Sequence, residues 1–277
     1  MRLELVREQK LYRLLGRRKT SRLEASGVAL VDDRTAVVVF DNLNQVARIA
    51  LSLKSRDRNR LFPAPSLAAG FEDIAIDRVR RRVFCLIEAI EDFDGVLRGA
   101  VVEYDLTGRF IGWAHLHHRI KKANSGFEGL EHVRFRGREF LYALREAGAR
   151  RGGAHIDVFV RAPAGGWTPS HKIHLRTLRG FKDFAALAYR DRRLAIVSQE
   201  SARLWVARID ERKRAVVRGS EATYRFPGRR YGNVEGIAWL SPDTLVAVSD
   251  KRKRDQPNRV AKKDQSIHVF RIPRAKR

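Results

Sequence analysis

Five short segments place oxygen-bearing side chains at matching points of the chain. They are Ala25-Ser26-Gly27-Val28-Ala29, Phe71-Glu72-Asp73-Ile74-Ala75, Phe127-Glu128-Gly129-Leu130-Glu131, Phe181-Lys182-Asp183-Phe184-Ala185 and Val234-Glu235-Gly236-Ile237-Ala238. The second position of each is polar or acidic, and alternating apolar positions follow. If the five segments meet, Ser26, Glu72, Glu128, Asp183 and Glu235 supply a set of oxygen donors dominated by carboxylates. Clustered carboxylates repel, and they respond by holding protons at raised pKa or by binding a cation. Oxygen-only donors at adjustable distances select Ca²⁺ over zinc or copper. Pairing with arginines, or hydration of a wet channel, would satisfy the same residues. In the fourth segment Lys182 is the alternative to Asp183, because neighbouring residues of a strand point to opposite sides. The spacing to the end of the following strand favours Asp183.

The elements that would bring these positions together follow from their recurrence. The copies lie about 50 residues apart, the length of four short strands. Each is followed by a charged turn: Asp32-Asp33-Arg34, Arg80-Arg81-Arg82, Arg136-Gly137-Arg138, Arg190-Asp191-Arg192 and Ser241-Pro242-Asp243. A second apolar run comes next, at Ala36 to Phe40, Val83 to Ile87, Phe140 to Leu144, Leu194 to Val197 and Leu245 to Val248. These runs end at or near Asp41, Glu88, Glu146, Gln199 and Asp250. Third runs lie at 46–49, 99–104, 155–159, 204–209 and 267–272, and their β-branched and aromatic content suits strands. The pattern predicts an all-β, five-bladed β-propeller spanning residues 1–277 as one domain. A degenerate sixth blade would have to lie within 54–70. The N-terminal stretch through Leu14 is read as a strand that completes the last blade and closes the ring, in preference to a short helix.

Composition frames the partners. The 277 residues are 44% hydrophobic, enough for a full core, and carry a formal charge of +25. Such a chain attracts polyanions: nucleic acid, acidic lipid or phosphorylated small molecules. The excess is largely arginine spread along the chain, which a GC-rich coding bias would also produce. Arg119, Lys121, Lys122, Arg145, Arg229 and Arg230, with Lys251-Arg252-Lys253 among others, fall in loops at the ends where first strands begin and second strands finish, and form a candidate anion-binding rim. The other face carries arginines too. The loop from Lys251 to Lys263 is basic, and is read first as a solvated connection. His115, His117 and His118 form a cluster with no third metal ligand indicated by spacing, so a polar outer strand is expected there; His171 and His174 give no better signal. The lone Cys85 excludes an intrachain disulfide and lies in an apolar run. No run approaches the roughly 20 apolar residues of a membrane span, and the N-terminus lacks a signal-peptide core, so a cytoplasmic location is expected. No Walker, Rossmann, zinc-finger or Gly-x-Ser-x-Gly pattern occurs.

With Leu23-Glu24-Ala25-Ser26-Gly27-Val28, Phe40-Asp41-Asn42, Gly180-Phe181 and Val234-Glu235-Gly236-Ile237 in view, the chain resembles the calcium-dependent apyrases, also called soluble calcium-activated nucleotidases. The resemblance covers the blade cores from about residue 22 to 240 and not the loops. It implies a five-bladed propeller with Ca²⁺ in the central tunnel, held by a Ser, Glu, Glu, Ser, Glu series. Ser26, Glu72, Glu128 and Glu235 match four positions in order, and the blade-four serine is replaced. The family's tryptophan-rich catalytic loops have no counterpart. Bacterial propellers similar to phytase-like and esterase-like groups share the Glu-Gly motifs equally well. Two functions are therefore expected in parallel. One is a Ca²⁺-dependent phosphohydrolase acting on a phosphorylated anionic small molecule, with Asp41, Glu88 and Glu146 as candidates for activating water. The other is a non-catalytic scaffold whose basic surface binds nucleic acid or a protein partner.

Overall fold

The computed structural model describes residues 1–54, 58–64, 70–122, 125–145, 154–163, 165–175, 178, 180–228, 230–254 and 256–273. Five antiparallel sheets stand around an axis as the blades of a propeller. Blade one comprises Ala25–Asp32, Thr35–Phe40, Leu43–Ala50 and Arg60–Pro63. Blade two comprises Asp73–Asp77, Arg82–Glu91, Leu97–Asp105 and Phe110–His115. Blade three comprises Phe127–Phe135, Arg138–Arg145, His155–Arg161 and Trp167–His174. Blade four has Ala186–Arg190, Arg193–Ser198 and Arg203–Asp210, flanked by the short strands Ala215–Val216 and Ala222–Arg225. Blade five combines Val234–Ser241, Thr244–Ser249 and Ser266–Arg271 with the N-terminal strand Glu4–Lys10, which pairs with Ser266–Arg271 and closes the ring. The N-terminal stretch is thus a strand to Lys10 and a single helical turn, Leu11–Leu14, beyond it.

The strands form where β-branched and aromatic residues dominate, and each sheet is apolar on both faces because a neighbouring blade covers each. Five apolar clusters fill the five spaces between blades. Between blades two and three, for example, Phe84 and Leu86 meet Phe127, Leu141 and Phe159. Between blades four and five, Val197 and Leu204 meet Trp239, Leu245 and Phe270. No helix among the described residues is long and apolar enough to cross a membrane. Cys85 is buried as a free thiol between blades one and two.

The five first strands pack side by side around the channel, each touching the next. At the tightest crossing the side chain must be small. A Cβ on Gly27 would come within 2.6 Å of the Asp73 Cα, and one on Gly236 within 2.8 Å of the Gly27 Cα. Polar stitches join adjacent first strands. Ser26 Oγ donates to Phe71 O. Leu130 N donates to Asp73 Oδ2 at 2.7 Å, Tyr189 N to Glu131 Oε2 at 3.0 Å, and Trp239 Nε1 to Ala188 O at 3.3 Å. At the far ends, two-residue hairpins at Arg136-Gly137 and Asp191-Arg192 have positive φ at both positions, the type I′ geometry that matches strand twist.

Candidate functional site

The motif residues reach the channel mouth through a repeated irregularity of backbone. In blades one, three and five the pairing register slips between Ala25 and Gly27, Phe127 and Gly129, and Val234 and Gly236. Ser26, Glu128 and Glu235 are the extra residues of these β-bulges, which re-aim a side chain that regular pairing would place on a blade face. Blade two does the same. Glu72 N donates to Leu86 O at 2.9 Å, while Leu86 pairs with Asp73.

Blade four departs from the register expected from its sequence. There Ala185 N donates to Val197 O at 3.0 Å and Val197 pairs with Ala186. The structural match to the motif is Phe184-Ala185-Ala186-Leu187-Ala188, so Ala185, and neither Asp183 nor Lys182, stands where the other blades have Ser26, Glu72, Glu128 and Glu235. Asp183 lies two residues earlier and is committed elsewhere. Its carboxylate accepts from Ser198 Oγ and from Glu200 N at 3.2 Å, holding the turn after the second strand. Burial pushes its pKa up against those bonds.

Behind this ring stands a second one. Asp41, Glu88, Gln199 and Asp250 all lie two residues past the second-strand residue (Val39, Leu86, Val197 and Val248) that pairs with the residue after the ring position (Gly27, Asp73, Ala186 and Gly236). Glu146 lies outside the described residues. Asp41 is held up to about 6 by burial and by the neighbouring Glu24 carboxylate. Asp250 rises to about 7 through burial and Asp41. Glu235 is driven well above its ordinary range by burial and Asp250, with Asp41 and Glu72 adding to the effect. Glu88 is raised by burial and accepts from Gly126 N at 3.0 Å, which ties it to the start of blade three.

Two kinds of group answer this negative charge. Lys253, from the basic connection of blade five, places Nζ 3.6 Å from Glu235 Oε1. Glu235, Asp250, Asp41 and Glu128 all favour its charged form. Arg22 pairs with Glu24 at 2.5 Å on the rim. Three acceptor oxygens at the same end, Asp41 Oδ1, Gln199 Oε1 and Asn233 Oδ1, are buried without a hydrogen-bond donor. Buried acceptors in that condition call for a water, a proton or a cation. The donor chemistry, carboxylate and amide oxygen throughout, fits a hard cation such as Ca²⁺.

The predicted rim is scattered. Arg119, Lys121, Lys122 and Arg230 are exposed at the same end of the propeller. Arg145 instead turns to His118, with Nη1 2.9 Å from His118 Nε2. Arg229 lies outside the described residues. His115 ends the outer strand of blade two. The sequence marks Asp250 only as a strand end, and Lys253 as part of a basic loop on the candidate rim. The repeat register marks Asp250 as equivalent to Asp41, whereas no local signal aims Lys253 at Glu235.

Two further polar features lie on the channel and at its far end. Below the acidic mouth a cavity of about 390 Å³ runs along the axis, walled by Val28, Ile74, Leu130, Leu187 and Ile237 and containing Glu131. Burial raises Glu131 to about 7, although Tyr189 N and His132 N both donate to it. Further out, Asp77, His132 and Glu139 bring potential ligand atoms within 4.8 Å of one another. Arg134 already occupies that group, donating to Asp77 Oδ2 at 2.7 Å and to Glu139 Oε1 at 2.8 Å.

No protein-family model matches the chain, and no curated protein matches it in sequence. Solved structures match its fold. The PQQ-bound aldose sugar dehydrogenase of Streptomyces coelicolor superposes with a TM-score of 0.55 at 12% identity, over 97% of both chains. The glutaminyl cyclase of Myxococcus xanthus gives 0.54 at 15% identity, over 97% of this chain and 95% of that one. The WD40 repeats of RRP9 give 0.53 at 10% identity, over 98% and 100%. At these identities the likeness is one of fold, and it spans both enzymes and a repeat domain.

Proposed function

We propose that the protein is a Ca²⁺-dependent phosphohydrolase of a small phosphorylated anion, working at the acidic mouth of the channel. The observation that carries this reading is the crowding of Glu235, Asp250 and Asp41 into one half-buried mouth, where Asp41 Oδ1 and two amide oxygens, Gln199 Oε1 and Asn233 Oδ1, are buried without a donor. Glu72, Glu128 and Glu235, with Ser26 behind them, would hold the cation. When bound, Ca²⁺ would draw charge from a phosphoryl oxygen and fix its position. Asp41, with a carboxylate oxygen without a partner and a pKa near neutrality, is suited to take a proton from an attacking water. The water oxygen would bond to phosphorus as the bond from phosphorus to the ester oxygen breaks, and the proton taken up by Asp41 would pass to the leaving oxygen. Arg119, Lys121, Lys122 and Arg230 would draw the anion to the rim. The likeness of the motifs to those of calcium-dependent apyrases supports the same reading, with nucleotides as the first substrates to try.

The test is phosphate release from a panel of nucleotides and simple phosphoesters, in Ca²⁺ and in chelator. Calcium-dependent turnover that disappears in Glu128→Gln and Asp41→Asn supports the reading; no turnover on any phosphoester removes it. A scaffold reading is favoured by one observation, the charge of +25. It predicts binding to nucleic acid that weakens steeply with salt and is indifferent to Ca²⁺ and to Glu128→Gln.

A further inference from the structure

We infer that Lys253 is a tethered counter-cation that occupies the acidic mouth and competes with a divalent ion for it. The inference rests on the cation-site reading above and deepens it, because it concerns what regulates that site. The Lys253 ammonium sits 3.6 Å from Glu235 Oε1, within the field of Asp250, Asp41 and Glu128. Its backbone is held firmly. Lys253 N donates to Gln256 Oε1 at 3.0 Å, and Arg252 Nη1 donates to Lys253 O at 3.0 Å and Gln256 O at 2.7 Å. Arg252 N donates to Asp264 Oδ2 at 3.1 Å, and Asn233 Nδ2 to Lys251 O at 2.9 Å. The side chain itself is 56% exposed, against 13% for Glu235. A fixed backbone keeps the ammonium at high effective concentration beside the carboxylates. An exposed stem gives it somewhere to go.

The physical consequence is competition. The ammonium and a divalent ion repel each other at Glu235, so an ion that enters drives the exposed ammonium toward solvent. Without the ion, Lys253 limits the mutual repulsion of the ring. The mouth is then self-neutralised at low cation concentration and exchanges its own charge for the ion as the concentration rises.

The experiment is calorimetric titration of chelator-stripped protein with Ca²⁺ alone, with thermal melts in chelator alongside. Lys253→Gln is expected to tighten Ca²⁺ binding about tenfold, as expected for removing one partly screened charge from a carboxylate site. Lys253→Arg keeps the charge and is expected to stay near wild type. Lys262→Gln, an exposed lysine of the same connection, removes the same net charge at a distance and is expected to change affinity less than twofold. In chelator, Lys253→Gln is expected to melt lower than wild type and to recover more on adding Ca²⁺. Ca²⁺ binding seen only in Lys253→Gln also supports the inference. Equal affinity in wild type and Lys253→Gln overturns it while leaving the cation site standing. Absence of binding in both overturns the cation-site reading and the inference with it.

Discussion

At the scale of single residues, the useful distinction is between carboxylates consumed by the fold and carboxylates available at the mouth. Asp183 and Glu235 illustrate it. Asp183 accepts from Ser198 and Glu200 and holds its own blade together. Glu235 faces other carboxylates and one lysine. Asp183→Asn is therefore expected to lower stability by about 1–2 kcal/mol and to leave Ca²⁺ affinity unchanged. Glu235→Gln is expected to abolish Ca²⁺ binding while raising stability in chelator. Calorimetry and melts on the two variants check this pair, and the reverse pattern would return Asp183 to the ring.

Glu131 offers a test away from the mouth. Its folded pKa is raised from 4.5 to about 7, so between those values the folded state holds a proton that the unfolded chain has released. Stability therefore falls as pH rises through that window, and below pH 4.5 the penalty is absent. Across the window the loss amounts to about 2 kcal/mol after allowance for the partial exposure of Glu131. Glu131→Gln is expected to flatten this part of the stability profile, as read by urea unfolding at pH 4.5 and pH 8. A variant whose slope matches wild type would mean that Glu131 stays ionised in the fold.

At the scale of elements, the β-bulge decides what reaches the axis. In blades one, three and five the glycine after it lets adjacent first strands cross. Gly27→Ala must push into Asp73, whose Cα lies 2.6 Å from the added carbon, and is expected to cost about 2 kcal/mol or more. Gly112→Ala meets nothing within 4 Å and is expected to be neutral or slightly stabilising. Denaturant midpoints for the two distinguish a crowded crossing from a general intolerance of glycine replacement.

The same elements explain what was legible. The second and third strands were plain in sequence because unbroken β-branched runs such as Val83 to Ile87 have no competing helical period. The ring positions of blades one, two, three and five were legible because a polar residue interrupts an apolar pattern at Ser26, Glu72, Glu128 and Glu235. Blade four hid its register. Its true motif, Phe184-Ala185-Ala186, carries no polar residue, while Phe181-Lys182-Asp183 three residues earlier mimics the others. Lys253 was legible as a rim residue, but its approach to Glu235 was not. Its position depends on a long connection fixed by Asn233, which donates to Lys251 O, and by Gln256 and Asp264, which accept from Lys253 N and Arg252 N, and no local pattern encodes those.

At the scale of the whole molecule, the ring is closed by two ends of the chain. Glu4–Lys10 pairs with Ser266–Arg271, and Glu8 accepts from Lys263 while meeting His268 Nδ1 at 3.2 Å. These bonds lower Glu8 to about 2, the His268 bond contributing most. A depressed carboxylate stabilises the fold above its unfolded pKa near 4.5, and the contribution is lost as pH falls toward 2. Because Glu8 is about one-third exposed, the effect is about 1 kcal/mol. Glu8→Gln is expected to unfold at lower denaturant than wild type at pH 7 and to match it near pH 2. An equal deficit at both pH values would assign the loss to packing and not to charge.

The whole molecule also sets a contrast of charge: a chain of net +25 gathers Glu24, Asp41, Glu72, Glu128, Glu235 and Asp250 at one end of its channel. Self-repulsion on that scale is tolerated where something positive balances it, and on the reading proposed above a divalent ion would do so in exchange with Lys253. The direct measurement is calcium binding to chelator-stripped protein by calorimetry, paired with its melting temperature in Ca²⁺ and in chelator. One ion per chain, a higher melting temperature with Ca²⁺ and loss of both in Glu128→Gln are the predicted results. No heat of binding and identical melts, in wild type and in Lys253→Gln alike, would contradict the claim and leave the acidic mouth balanced by Lys253 and protons alone.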